Sequence, residues 1–126
     1  MTNFPANGFS IGDLSIPLPI VQGGMGVGVS LSGLASAVAE EGGVGVLSAA
    51  GIGQLYRRRF PGRAIDNRQA LREEIRASRQ KTAGVLGVNI MVALSDFAEL
   101  SSAAIGEGID ILFAGAGLPL ELPALR

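Results

Sequence analysis

The sequence predicts an α/β protein of about four parallel βα units, the N-terminal half of a closed (β/α)8 barrel. Three observations lead there. Short aliphatic runs alternate with helical periodicities in the order βαβαβαβ, the pattern of a parallel sheet with right-handed crossovers. The composition is 48% hydrophobic but only 5% aromatic, as expected of strands buried on both faces and written in Val, Leu, Ile and Ala. The chain also repeats itself at an offset of 66 residues, where "AVAEEGGVGVLSAAG" (37–51) lies over "AAIGEGIDILFAGAG" (103–117). The same offset sets Gly23 over Asn89 and Met25 over Met91. A whole barrel takes roughly 250 residues, so 126 residues read as one partial domain, 1–126. The alternative is a small doubly wound domain.

Each element has its own signal. Residues 11–17, "IGDLSIP", read as a short leading strand that plugs one end of the sheet. Residues 19–22 read as a first buried strand. The helix at 31–41 carries Leu31, Leu34, Ala35 and Val38 at helical spacing, with Ser30 as N-cap and Gly42–Gly43 as its stop. "VGVL" (44–47) is a second strand, followed by a long loop, 48–64, rich in Gly and Arg. A helix over 66–82 starts at the N-cap Asp66 and turns Leu71, Ile75 and Ala77 or Ser78 inward. "GVLGVNIMV" (84–92) is a third strand. A helix over 96–106, capped by Ser95 or Asp96, leads to a fourth strand, "IDILFAG" (109–115). "LPLELPALR" begins a further helix.

Composition excludes several kinds of chemistry. No cysteine and no histidine occur, which removes disulfides, thiolate and imidazole metal sites, a Cys nucleophile and the commonest general base. Ser30 and Ser48 therefore have no imidazole to activate them. No apolar run reaches the roughly 18–20 residues of a membrane span. "MTNFPANGFS" lacks the basic and apolar regions of a signal peptide, so a cytoplasmic location is expected. The net charge of −1 gives no bulk attraction for nucleic acid. Nine of the ten basic residues lie between Arg57 and Lys81, read as a solvated face with a helical Glu73–Arg76 pair; the sharper reading is a site for an anion. Asp110 shows no partner in the sequence. The adjacent pairs Glu40–Glu41 and Glu73–Glu74 do not face each other on a helix and make no acid/base couple.

The glycine loops hold the remaining chemistry. "PIVQGGMGVGVS" (19–30) fails the dinucleotide fingerprint, because Val29 or Leu31 stands where its third glycine belongs. It also fails as a phosphate loop of the Walker type, since Val29 occupies the lysine position after Gly23 and Gly28. What remains is three glycine-rich loops, 23–28, 48–53 and 114–118, and Asn89, at the carboxyl ends of parallel strands, where ligands bind in such folds. Glycines there let the backbone meet a flat polar ring such as a flavin isoalloxazine, or simply permit tight turns and close helix packing. Asn89 could bond a ring edge or cap a turn, and Met25 is equally core filler.

"LPIVQGGMGVGVSLSGLASAVAEEGGVGVLSAAGIG", "GVLGVNIMVALSDF" and "GIDILFAGAGLP", in this order and spacing, resemble the N-terminal part of the nitronate monooxygenase (2-nitropropane dioxygenase-like) family, from about Ile11 to Pro119. The resemblance implies a TIM barrel with FMN at the carboxyl face of the strands. Gly23, Gly24, Met25 and Gly26 would lie along the flavin ring, Asn89 would hydrogen-bond its polar edge, and Ala114 with Gly115, Ala116 and Gly117 would line the same pocket. It implies a monooxygenase that converts alkyl nitronates and oxygen to a carbonyl compound and nitrite. A related branch implies the alternative, an NAD(P)H-dependent flavin enoyl or quinone reductase. The family's catalytic histidine and FMN-phosphate loops belong to the second half of its barrel, so no catalytic residue is expected in this chain, which reads as a fragment inactive by itself. A non-catalytic half-barrel is the third reading. The partners expected are a small-molecule substrate and oxygen, no nucleic acid and no membrane, with self-association through unpaired barrel edges.

Overall fold

A computed structural model describes residues 7–125; of the N-terminal stretch read above for a leader, residues 1–6 lie outside it, as does Arg126. The chain opens with an antiparallel hairpin, β1 (Phe9–Ile11) and β2 (Leu14–Ile16), where the single leading strand was expected. Gly12, with φ of 56°, supplies the left-handed turn between them. Then follow α1 (Ser32–Glu40), β3 (Gly45–Ser48), α2 (Ile52–Arg59), α3 (Asn67–Lys81), β4 (Leu86–Met91), α4 (Phe97–Gly106) and β5 (Ile111–Gly115). The C-terminal segment forms a short 3₁₀ turn, Leu122–Ala124, not the further helix.

Strands β3, β4 and β5 form one parallel sheet in that order, with Ser48 opposite Asn89 and Met91 opposite Gly115. The sheet is open and, among the described residues, has three strands, so three of the four expected parallel strands form it. Residues 19–22 reach it only through the parallel bridge Val21–Val44. Ile20 and Val21 are about half exposed, not buried, because among the described residues no strand covers their outer edge. Side-chain alternation sorts the sheet into two faces. Leu47, Leu86, Val88 and Ile90 pack with Ala35, Leu71, Ile75 and Leu100 of the helices in the main core. Val44 and Val46, with Phe113 against them, meet Ile16 of the hairpin on the opposite face, so the leading segment covers that side.

Helix α1 buries Ser32, Ala35, Ser36 and Ala39 and leaves Leu34 exposed, which corrects the expected inward stripe. Small residues win because the helix sits directly on the backbone of its neighbours: a Cβ on Gly84 would run into the Ala39 carbonyl. Its N-cap is Leu31, with no side-chain cap, not Ser30. Helix α2 was hidden in the expected 48–64 loop. Ile52 and Tyr56, one turn apart, are its buried side, and Arg57, Arg58 and Arg59 fill its last turn, where positive charge suits the helix dipole. Helix α3 matches the expectation closely: Asp66 Oδ1 accepts from Gln69 N at 2.8 Å, and Ser78 rather than Ala77 faces inward. Asp96 is the N-cap of α4 without a side-chain cap bond; it accepts from Asn67 Nδ2 instead.

Five residues of the basic run, Arg63, Arg68, Arg72, Arg76 and Arg79, lie within salt-bridge distance of carboxylates. Glu73 pairs with Arg63 at 2.6 Å, not with Arg76, which pairs with Glu107 at 2.6 Å. Asp110 has a partner after all: Arg79 at 2.6 Å, while the same oxygen accepts from Leu86 N at 2.9 Å. The Gln69 amide at the helix start holds the Asp66 carboxyl below the usual carboxylate range, and Arg63 does the same for Glu73. A carboxyl whose pKa is depressed by folding stabilises above its unfolded value, about 4, and that stabilisation fades as acid carries the pH down through the folded value. An Asp66→Asn, Glu73→Gln double variant is therefore expected to lose less thermal stability than the parent between neutral pH and about pH 3; melting curves across that range check it, and parallel slopes would refute it. Among the described residues, no helix is long and apolar enough to cross a membrane.

Candidate functional site

The strand alternation that sends Val88 and Ile90 to the helices turns Asn89 and Met91 to the other face, at the carboxyl end of the sheet. There the loop after residue 22 folds back over β3 and β4. Gly24, Gly26, Val27, Ser48, Ala50, Asn89 and Met91 line a cavity of about 310 Å³. The loop lies very close to the strand ends. A Cβ on Gly24 would stand 2.7 Å from Asn89 Cβ, and one on Gly26 would stand 2.7 Å from Ala50 Cβ, so no other residue fits at either position without movement. Close packing is thus one requirement these glycines meet. Gly23 and Gly115 differ, because a Cβ there would meet nothing.

Of the residues expected at the site, Gly24, Gly26 and Asn89 share the cavity. Gly23 and Met25 belong to the same loop but do not line it, and Met25 is about half exposed. Gly115 ends β5 beside Met91. Ala116 adopts φ of 55°, and Gly117, with φ of 149°, turns back against Val92. This third loop stands at the next strand end and faces a neighbouring cavity of about 360 Å³ bounded by Val92, Phe97 and Leu118.

Sequence reasoning missed Gln22. Its Oε1 accepts from Val46 N at 3.0 Å and its Nε2 donates to Val46 O at 3.0 Å. One side-chain amide thus occupies both backbone positions that a paired strand residue would use, and it bonds Ser30 Oγ at 2.9 Å as well. A glutamine just before a glycine pair, at the end of an apolar run, was the available signal.

The cavity offers the Asn89 amide, the Ser48 hydroxyl and loop backbone groups to a ligand. These fit the polar edge of a flat heterocycle such as a flavin. Among the described residues no Arg or Lys lines it, so the lining offers no side-chain cation to a phosphate.

Fold and cleft together define an α/β protein that presents a ligand site at the carboxyl ends of parallel strands. The family model for nitronate monooxygenase matches residues 9–110. The chain belongs to the nitronate monooxygenase family, whose members are flavin-dependent oxidoreductases. Among solved structures it is similar to FabK from Thermotoga maritima, with 30% identity and a TM-score of 0.61 over 79% of this chain and 27% of that one. It is also similar to a mutant of the same protein, with 31% identity and a TM-score of 0.58 over 75% of this chain and 27% of that one. The chain thus spans about a quarter of the length of these neighbours. No curated protein matches it.

Proposed function

We propose that this chain supplies one wall of an FMN site in an enzyme that oxidises alkyl nitronates with oxygen to a carbonyl compound and nitrite. The observation that carries the reading is the convergence of the Gly24–Gly26 loop and the Asn89 amide on one cleft at the strand ends, in a chain of this family. The Gly23–Gly26 backbone would lie along the ring face, with Met25 beside it. Asn89 would hold the ring's polar edge, donating from Nδ2 and accepting at Oδ1. Gly115, paired beside Met91 at the end of β5, would stand at the far edge, with Ala116 and Gly117 leading away from it. Bound FMN supplies electron acceptance from the nitronate and electron delivery to oxygen. Val27 and Met91 give the cleft an apolar side. Because the sequence holds no histidine, no imidazole of these residues moves a proton.

Fluorescence titration with FMN tests the cofactor part. The chain is expected to quench flavin emission, and Asn89→Leu to weaken binding about tenfold, as the loss of a well-made polar contact does. A titration with no quenching at all would refute the flavin assignment. In the whole enzyme to which this wall would belong, oxygen uptake with a propyl nitronate, against oxidation of NADH under the same conditions, separates nitronate oxidation from the NAD(P)H-dependent reductase reading.

A further inference from the structure

The loop that walls the cleft is held in shape by side chains that do not line it. Ser30 is fully buried. Its Oγ accepts from Met25 N at 2.8 Å and from Gln22 Nε2 at 2.9 Å, and donates to Gly23 O at 3.2 Å. The hydroxyl therefore uses both acceptor positions and its one proton. The Ser30 backbone closes the same turn: its N–H donates to Met25 O at 2.9 Å, and its carbonyl accepts from Ser48 N at 2.9 Å. Gln22 then joins this hub to β3 through both backbone groups of Val46. Between the two residues the chain has four glycines and no helix or strand. Such a segment loses more conformational freedom on ordering than any other, so without the clip it would sample many shapes.

We infer that Ser30 and Gln22 are positioning residues of the cleft wall: they preset the Gly23–Gly26 backbone before a ligand arrives, so that a flat ring meets a formed surface and does not have to order a loop. A ligand that binds a preformed surface avoids the ordering cost at the moment of binding. The inference rests on the flavin reading above for the identity of the ring, but the shape of the loop can be measured without it.

Ser30→Ala and Gln22→Met, each compared with the parent chain by amide hydrogen exchange and by FMN fluorescence titration, test it. Expected are exchange about tenfold or more faster at the Met25 amide in Ser30→Ala and at the Val46 amide in Gln22→Met, from loss of the bond that protects each. Val88 and Ile90 of β4 should exchange unchanged, and FMN affinity should fall about tenfold. Equal acceleration in β4 would mean ordinary destabilisation and would overturn the inference. Local loosening with unchanged FMN affinity would overturn it too. If the parent chain binds no FMN, the flavin reading alone has failed, and the exchange pattern decides the clip: loosening confined to the loop supports a preset wall, and any uniform change rejects it.

Discussion

Glu74→Ala is expected to lower the stability of the fold by about 3 kcal/mol, from the loss of two buried hydrogen bonds whose donors are left unpaired. Glu74 is 3% exposed, in the middle of α3. Its Oε1 accepts from Ser32 N at 2.6 Å, and its Oε2 accepts from the Tyr56 hydroxyl. Helix α1 has no side-chain cap of its own, so a carboxylate from another helix satisfies its first free N–H and answers its positive end. Lys81 Nζ, bonded to Ser32 Oγ at 3.1 Å, places a positive charge in the same cluster. Burial first, and then the bond to Glu74, push the Tyr56 hydroxyl far above its ordinary pKa, so it stays protonated and donating at any pH the protein meets. Three helices are joined at this one side chain. Glu74→Gln keeps an acceptor for Ser32 N and is expected to cost less than half as much. Urea unfolding followed by circular dichroism measures both. An alanine variant within about 0.5 kcal/mol of the parent, the range of surface substitutions, would show that the cluster does not hold the helices.

Gly45→Ala is the second large effect, expected at about 3 kcal/mol, at the upper end of ordinary overpacking. A Cβ on Gly45 would drive into the backbone carbonyl of Ala35, which is itself fully buried in α1. A backbone atom cannot rotate away as a side chain can, so α1 must lift from β3 as a unit. Gly33→Ala provides the contrast within the same helix. Gly33 is exposed and a Cβ there meets nothing, so the change should stabilise by up to about 1 kcal/mol through helix propensity. Denaturation midpoints of opposite sign for one chemical change check the account. Equal midpoints would mean that α1 does not rest on Gly45.

Much of the architecture was written in local pattern. Helix α3 could be read nearly to its ends, because Asp66 is a strong cap and Leu71 and Ile75 repeat at helical spacing over fifteen residues. The cores of β3, β4 and β5 stood out as short, mostly apolar runs. Helix α2 did not, since eight residues with two apolar anchors among three arginines carry too little periodicity. Helix α1 was found but turned wrongly: its leucine and valine suggested an inward stripe, and only the close approach of Gly45 and Gly84 reveals that alanine and serine face the sheet. The partner of Asp110 was invisible for a similar reason, because Arg79 lies 31 residues away on the far side of a strand.

The candidate site divides in the same way. Glycines and an asparagine at strand ends were legible, since strand period and parallel order are local properties that place those residues on one rim. Gln22 and Ser30 were not legible as a frame for that rim. They bond backbone groups and each other only once the loop and β3 have come together, and a polar side chain shows nothing of its partner until the chain has folded. By itself the sequence determined the class of fold, the order of its elements and the family to which the chain belongs. Only the tertiary structure decided which face each helix buries and what holds the glycine loop, because both depend on distances across the sheet that no local spacing encodes.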